Sequence, residues 1–226
     1  MKYLLVVAHP DDEVLGAGST ISKFALKGHD FDLAIMCSEA LARAHRPDGD
    51  LLNADLKACS EFLGIKRIIL GSFPNIEMNT VPHLQLVQFI EKAILASKPD
   101  VVITHHPTDS NNDHLQTSIA CQAAIRIFQR RNDVRPINQL WYMEVPSSTE
   151  WSVDSSANRF QPNTFVEAGE DGITSKITAL AIYRGVMRDY PHPRSEEGLK
   201  GLAAYRGTQC GFNYAEAFEC VFRRIQ

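Results

Sequence analysis

Two short polar runs carry most of the chemistry available to this chain. One is Ala8-His9-Pro10-Asp11-Asp12-Glu13, and the other is His105-His106-Pro107-Thr108-Asp109-Ser110-Asn111-Asn112-Asp113-His114. In the first, two adjacent carboxylates in one tight turn repel each other, which disfavours ionising both unless a cation intervenes. A histidine with an aspartate is half of a zinc-binding set, with nitrogen and oxygen donors at about 2.0–2.2 Å. Neighbouring side chains leave the backbone in different directions, so Asp11 and Asp12 cannot share one task. One can ligate while the other faces the open coordination position and takes a proton from water, whose pKa zinc lowers to about 7. The plainer alternative is an acidic helix N-terminus, with Asp12 and Glu13 answering the macrodipole. A histidine in the same turn and a second histidine cluster weigh against it.

The second run supplies a further ligand, since two histidines and one carboxylate around an open position form a catalytic zinc arrangement. His114 opens a helix, and Asp113 beside it can orient an imidazole. His105 and His106 compete for the same role, and either can instead end its strand in a solvated loop. Asp109 reads as a turn residue or as a carboxylate behind a ligand.

Both runs sit where an α/β fold would put them. The apolar run 2–8 predicts a strand covered on both faces, followed by a helix over 13–27 that Gly28 stops. Strands at 30–37, 67–71, 99–106 and 138–145 alternate with helices at 51–63, 81–97 and about 113–130. This alternation predicts a Rossmann-like three-layer sandwich with a mostly parallel sheet, as one domain over 1–226. The polar runs follow strands one and four, at the carboxyl edge where such sheets collect ligands. Residues 146–163 read as a long surface loop and 164–169 as a short strand. A helix is expected over 175–190, another over 195–206, and a returning strand over 217–224.

Composition narrows the function class. The chain has 226 residues, a formal charge of −4 and 44% hydrophobic residues, enough for a substantial core. Mild acidity argues against a nucleic-acid partner. No apolar run approaches the roughly 20 residues that span a bilayer, and the opening segment does not read as a signal peptide. The five cysteines lack CxxC spacing and sit mostly among apolar neighbours, as expected of reduced thiols in a cytoplasmic protein.

The strand-plus-AHPDDE opening, with D-x-N-x-DH after strand four, resembles the PIG-L/LmbE-like family of zinc-dependent N-acetyl-sugar deacetylases. The resemblance extends more loosely to Lys98-Pro99-Asp100 and to the closing YAEAF stretch. It implies His9, Asp12 and His114 as zinc ligands and Asp11 as general base. It also implies a small-molecule N-acetylated sugar substrate, and some members of the family form trimers or hexamers. Fe²⁺ and Co²⁺ would suit the same donors. Many members carry a histidine three residues before the last ligand, where this chain has Asn111. An amide can donate to an oxyanion but cannot supply a proton. That leaves Asp11, or His192 as an imidazolium, to protonate the leaving amine. Arg194 and Arg206 are candidates for substrate contacts. The arginine and aspartate that family members commonly use on the sugar are replaced around Asp48-Gly49-Asp50 and Phe73-Pro74-Asn75, which implies a different substrate. Among aromatic residues, Trp151 on the polar loop is a better stacking platform than Trp141 or Tyr142 on strand five. Two rival readings remain: a Mg²⁺- or Mn²⁺-dependent nucleotide-sugar glycosyltransferase built on Asp11-Asp12, and a metal- or sugar-binding module without catalysis.

Overall fold

The computed structural model describes residues 1–38, 49–153 and 158–225. Its seven-stranded sheet has the order β3-β2-β1-β4-β5-β7-β6. Strands β1 (Lys2–Val7), β2 (Asp30–Ile35), β3 (Arg67–Leu70), β4 (Val101–His105) and β5 (Gln139–Met143) run parallel. β7 (Ala215–Arg223) is antiparallel to both β5 and β6 (Thr164–Glu167).

The central strands are apolar throughout because both faces are covered. Along β1, Tyr3, Leu5 and Val7 pack on one side, and Leu4 and Val6 on the other. The first side is closed by helices α1 (Asp12–Leu26), α2 (Gly49–Leu63), α5 (Gly169–Ile182) and α6 (Glu196–Thr208). The second is closed by α3 (His83–Ser97) and α4 (Asn112–Ala124). Each fully buried Leu, Ile or Val contributes about 1.5–3 kcal/mol of transfer free energy.

Chain order reverses between β1 and β4, neighbours whose connections leave in opposite directions along the sheet. A crevice therefore opens beyond their carboxyl ends, and both polar runs emerge into it.

Several boundaries differ from expectation. The helix predicted over 113–130 ends at Ala124 and is followed by a 3-10 turn at Ile127–Gln129. The one predicted over 175–190 starts six residues earlier, at Gly169 with φ 63°, and stops at Ile182. Tyr183 is extended there and Gly185 stands at φ 71°, a left-handed conformation that ends a helix. The 146–163 loop contains a 3-10 turn at Thr149–Trp151, and residues 154–157 of it lie outside the described residues. No helix among the described residues is long and apolar enough to cross a membrane. All five cysteines are free: Cys37, Cys59 and Cys121 are buried, while Cys210 and Cys220 are half-buried.

Candidate active site

The turn after β1 is tight and strained. Asp11 adopts φ 102°, ψ −27°, a conformation that costs a non-glycine residue about 1–3 kcal/mol. His9, Asp11, Asp12 and Glu13 are all essentially inaccessible. Asp12 Oδ2 accepts the His9 backbone N–H at 2.9 Å, folding the carboxylate back over the turn. From there it lies 3.3 Å from His9 Nδ1, 3.3 Å from His114 Nε2 and 3.5 Å from His105 Nε2.

The loop after β4 brings the opposing side. Asn111 caps α4 by accepting the Asp113 N–H on its side-chain oxygen at 2.9 Å, which places His114 in the first helical turn, facing Asp12. The cap uses the oxygen, so the group Asn111 can offer a ligand is its Nδ2 amide.

Each of the two facing imidazoles has its own carboxylate. His9 Nε2 meets Asp113 Oδ2 at 3.0 Å, and Asp113 is itself fixed by the backbone N–H groups of Ile76 and Met78 at 2.5 and 3.1 Å. His114 Nδ1 lies 3.2 Å from Asp109 Oδ2, which accepts from Ser148 Oγ at 3.0 Å and Thr149 Oγ1 at 2.6 Å. Such pairs fix ring orientation and tautomer.

The electrostatics favour positive charge here. Burial opposes ionisation of Asp12, yet the His114 and His9 rings hold it well below the usual carboxylate range. Burial likewise opposes protonation of the two facing imidazoles. The bond to Asp113 and the nearby Asp12 carboxylate nevertheless push His9 well above its ordinary value, and Asp12 and Asp109 push His114 up to about 9.

Among the described residues, three groups of side chains offer donor atoms close enough to share a cation: His9-Asp12-His114, His105-Asp109-His114 and His9-Cys37-Asp113. Only the first combines buried atoms lacking hydrogen bonds, His9 Nδ1 and Asp12 Oδ1, on two of its members. In the other two, Asp109 and Asp113 are already occupied by hydroxyls and backbone amides. Two imidazole nitrogens and one carboxylate fit zinc and similar divalent ions.

His105 and His106 are not solvated loop residues; both are buried. His105 Nε2 accepts the Ala8 N–H at 2.9 Å, and its ring stacks on His114 at 3.9 Å between centroids. Burial and the neighbouring His114 charge push its pKa down to about 3, so it stands as a neutral wall of the site. His106 turns away, its Nδ1 2.9 Å from Thr108 Oγ1 and its Nε2 3.4 Å from Glu219.

The C-terminal candidates divide. Arg194 Nη1 lies 3.6 Å from Asp11 Oδ2, while its Nε donates to Ser147 Oγ at 2.8 Å. His192 is joined to this corner by accepting the Arg194 backbone N–H on Nδ1 at 3.0 Å. Burial and the nearby charges of Arg194 and Arg188 lower the pKa of His192, which disfavours the imidazolium expected there. What it can present is a neutral Nε2–H. Arg206 makes a two-pronged pair with Glu144 at 2.8 and 2.6 Å, an engagement that competes with substrate binding. Trp151 is 63% exposed at the end of its 3-10 turn, two residues beyond Thr149. Trp141 and Tyr142 are buried in the core, and neither presents a stacking face.

Sequence reasoning missed one support. Glu13 was expected only to answer the helix dipole, yet its carboxyl is enclosed between Tyr183 Oη at 2.6 Å and the Asp11 N–H at 3.1 Å. Burial pushes its pKa up to about 8. Asn75, half-buried beside Ile76, has both side-chain polar atoms buried without a hydrogen bond. Of the Asp48-Gly49-Asp50 segment, Asp48 lies outside the described residues.

The chain is similar to known proteins along nearly its full length. It is 23% identical to the diacetylchitobiose deacetylase of Thermococcus kodakarensis over 97% of this chain and 83% of that protein. Its fold matches the conserved protein TT1542 of Thermus thermophilus with a TM-score of 0.79 at 22% identity, covering 99% and 96% of the two chains. It also matches GalB, the 4-carboxy-2-hydroxymuconate hydratase of Pseudomonas putida, with a TM-score of 0.77 at 20% identity, over 100% and 98%. These structural likenesses speak for the fold alone. The family model described as PIG-L, GlcNAc-PI de-N-acetylase, matches residues 4–125, more than half of the chain and all of the buried His/Asp cluster, and the protein belongs to that family.

Proposed function

We propose that this protein is a metal-dependent hydrolase that removes the N-acetyl group from an amino sugar or amino-sugar conjugate. The observation that carries this reading is the buried convergence of His9, Asp12 and His114, with Asp11 in the same turn. His9, Asp12 and His114 would hold the ion, with zinc favoured by the donor set. When bound, it supplies Lewis acidity that polarises the amide carbonyl and acidifies water.

The chain's own groups do the rest. Asp11 accepts the proton of the attacking water and is the nearest group to return it to the leaving amine. Asp113 and Asp109 orient His9 and His114. Asn111 Nδ2 and the neutral His192 supply hydrogen-bond donors for the developing oxyanion. Arg194, adjacent to Asp11, holds the loop that carries His192 and faces the substrate. Trp151 offers an exposed ring for stacking on a sugar. Members of this family fold acting on diacetylchitobiose make a small glycan the natural substrate class to try first.

The test is acetate release from a panel of N-acetylated hexosamines and their conjugates, with metal content measured on the same preparation. One equivalent of zinc, iron or cobalt with acetate release is expected. Stoichiometric metal without acetate from any of them would overturn the deacetylase reading, and protein that takes up no divalent metal would overturn the ligand assignment.

A further inference from the structure

Helix α1 carries Asp12 as its first residue, and it is broken one turn later. Ala17 stands at φ −146°, ψ 16°, which separates the Asp12–Gly16 turn from the remainder. A break of this kind strands backbone groups in the interior, carbonyls before it and N–H groups after it. Here they are satisfied by two side chains from distant parts of the chain. Lys176 Nζ, on α5, donates to the Leu15 carbonyl at 2.7 Å and to Glu216 Oε1 at 2.7 Å. Glu216, on β7, accepts the Ser19 N–H on Oε1 at 3.0 Å and the Thr20 N–H on Oε2 at 2.7 Å. The lysine therefore ends the first turn and the glutamate starts the second part of the helix. Gly18 permits this approach, since a Cβ there would sit 3.1 Å from Lys176 Cγ.

The other end of the same turn is held in the same manner. Tyr183, just past α5, donates its hydroxyl to Glu13 Oε1 at 2.6 Å, and Glu13 Oε2 accepts the N–H of Asp11, the residue at φ 102°. Tyr183, Lys176 and Glu216 are all buried, and all lie outside the residues 4–125 that the family model matches.

We propose that Tyr183, Lys176 and Glu216 are positioning residues that fix the Asp11–Asp12 turn from both ends and thereby set the spacing of base and metal ligand. The inference rests on the reading of Asp12 as ligand and Asp11 as base. The charge pairing of Lys176 with Glu216 is by itself seldom a net stabiliser, and apolar residues could fill the same volume. What apolar residues cannot do is satisfy a broken helix while keeping the break, and the break is what makes the Asp12 turn a separate unit.

The experiment uses the full chain with Tyr183→Phe and with the paired change Lys176→Met/Glu216→Gln, which removes both charges together. Three quantities are read: the thermal midpoint, the Co²⁺ dissociation constant and visible spectrum of the cobalt-loaded protein, and kcat and KM for an N-acetylated substrate. Both variants should stay folded at the assay temperature. They should bind Co²⁺ more weakly, by about 10- to 100-fold. They should also lose kcat on the order of 10- to 100-fold at little change in KM. Should the paired variant fail to fold, Tyr183→Phe, which deletes a single oxygen, decides alone. Folded variants with Co²⁺ affinity, spectrum and kcat within twofold of the native protein would overturn the proposal, as would a rise in KM alone. The cobalt readout needs no turnover, so a native protein inert toward every N-acetylated sugar would sink the deacetylase reading and leave this one testable.

Discussion

The two halves of the candidate site are built on different principles. The β4–α4 loop makes its own helix cap: Asp109, Asn111 and Asp113 alternate along it, and the first two build the cap, while Ser148, Thr149, Ile76 and Met78 also hold its carboxylates. Asp109 accepts the Asn111 N–H at 2.9 Å, and Asn111 caps the helix that presents His114. The β1–α1 turn is not self-sufficient. Its Asp11 sits at a positive φ, its helix breaks after one turn, and the groups that hold it come from residues 176, 183 and 216. The difference teaches that a ligand presented by a helix cap can be specified locally, whereas a strained turn needs supports that the tertiary fold must deliver.

The sharpest ways to break that comparison act on the ligands themselves. Asp12→Ala and His114→Ala should each abolish stoichiometric metal, measured by elemental analysis after dialysis; retention of a full equivalent by either would move the metal to another group, with His105 the nearest replacement. Asp11→Asn should keep the metal and lower kcat about 10²–10⁴-fold, the range for a removed general base. Normal turnover in that variant would take the base role away from the turn altogether.

Smaller effects compare the two carboxylates behind the imidazoles. Asp113→Asn and Asp109→Asn should each weaken metal binding about 10- to 100-fold, read by competition with a chromophoric chelator. The Asp113 change should be the larger, because that residue also ties the 76–78 segment to α4 through two backbone N–H groups. Equal effects would mean that only the imidazole contact matters. Smallest of all, His192→Ala should lower kcat severalfold without altering metal content, since a neutral donor contributes one hydrogen bond, about 0.5–1.5 kcal/mol. A silent His192→Ala in steady-state kinetics would assign the oxyanion to Asn111 and the metal.

Much of this was legible before any coordinates. Short continuous apolar runs and helical spacing located five parallel strands and the helices between them, because burial on both faces leaves little freedom in residue type. The spacing of His9 to Asp12 and of Asp109 to His114 was legible because those contacts are short in sequence. Helix ends were less so: the stretch after Ile182 keeps an amphipathic pattern, and what stops it is the backbone at Tyr183 and Gly185. The same limit hid Glu13, whose partner is 170 residues away, and Arg206, which looked free for substrate until Glu144 stood beside it.

By itself, then, the sequence determined which elements form, where the sheet's carboxyl edge would carry histidine and aspartate, and what class of ion those donors suit, since all of these depend on residue type and local spacing. Only the tertiary structure decided that His9, Asp12 and His114 face one another in a buried space, that His105 is a neutral wall, and that α5 and β7 hold the Asp11–Asp12 turn. Those facts depend on contacts between residues far apart in the chain, and the free energy that fixes them comes from burying polar groups only where a distant partner satisfies them.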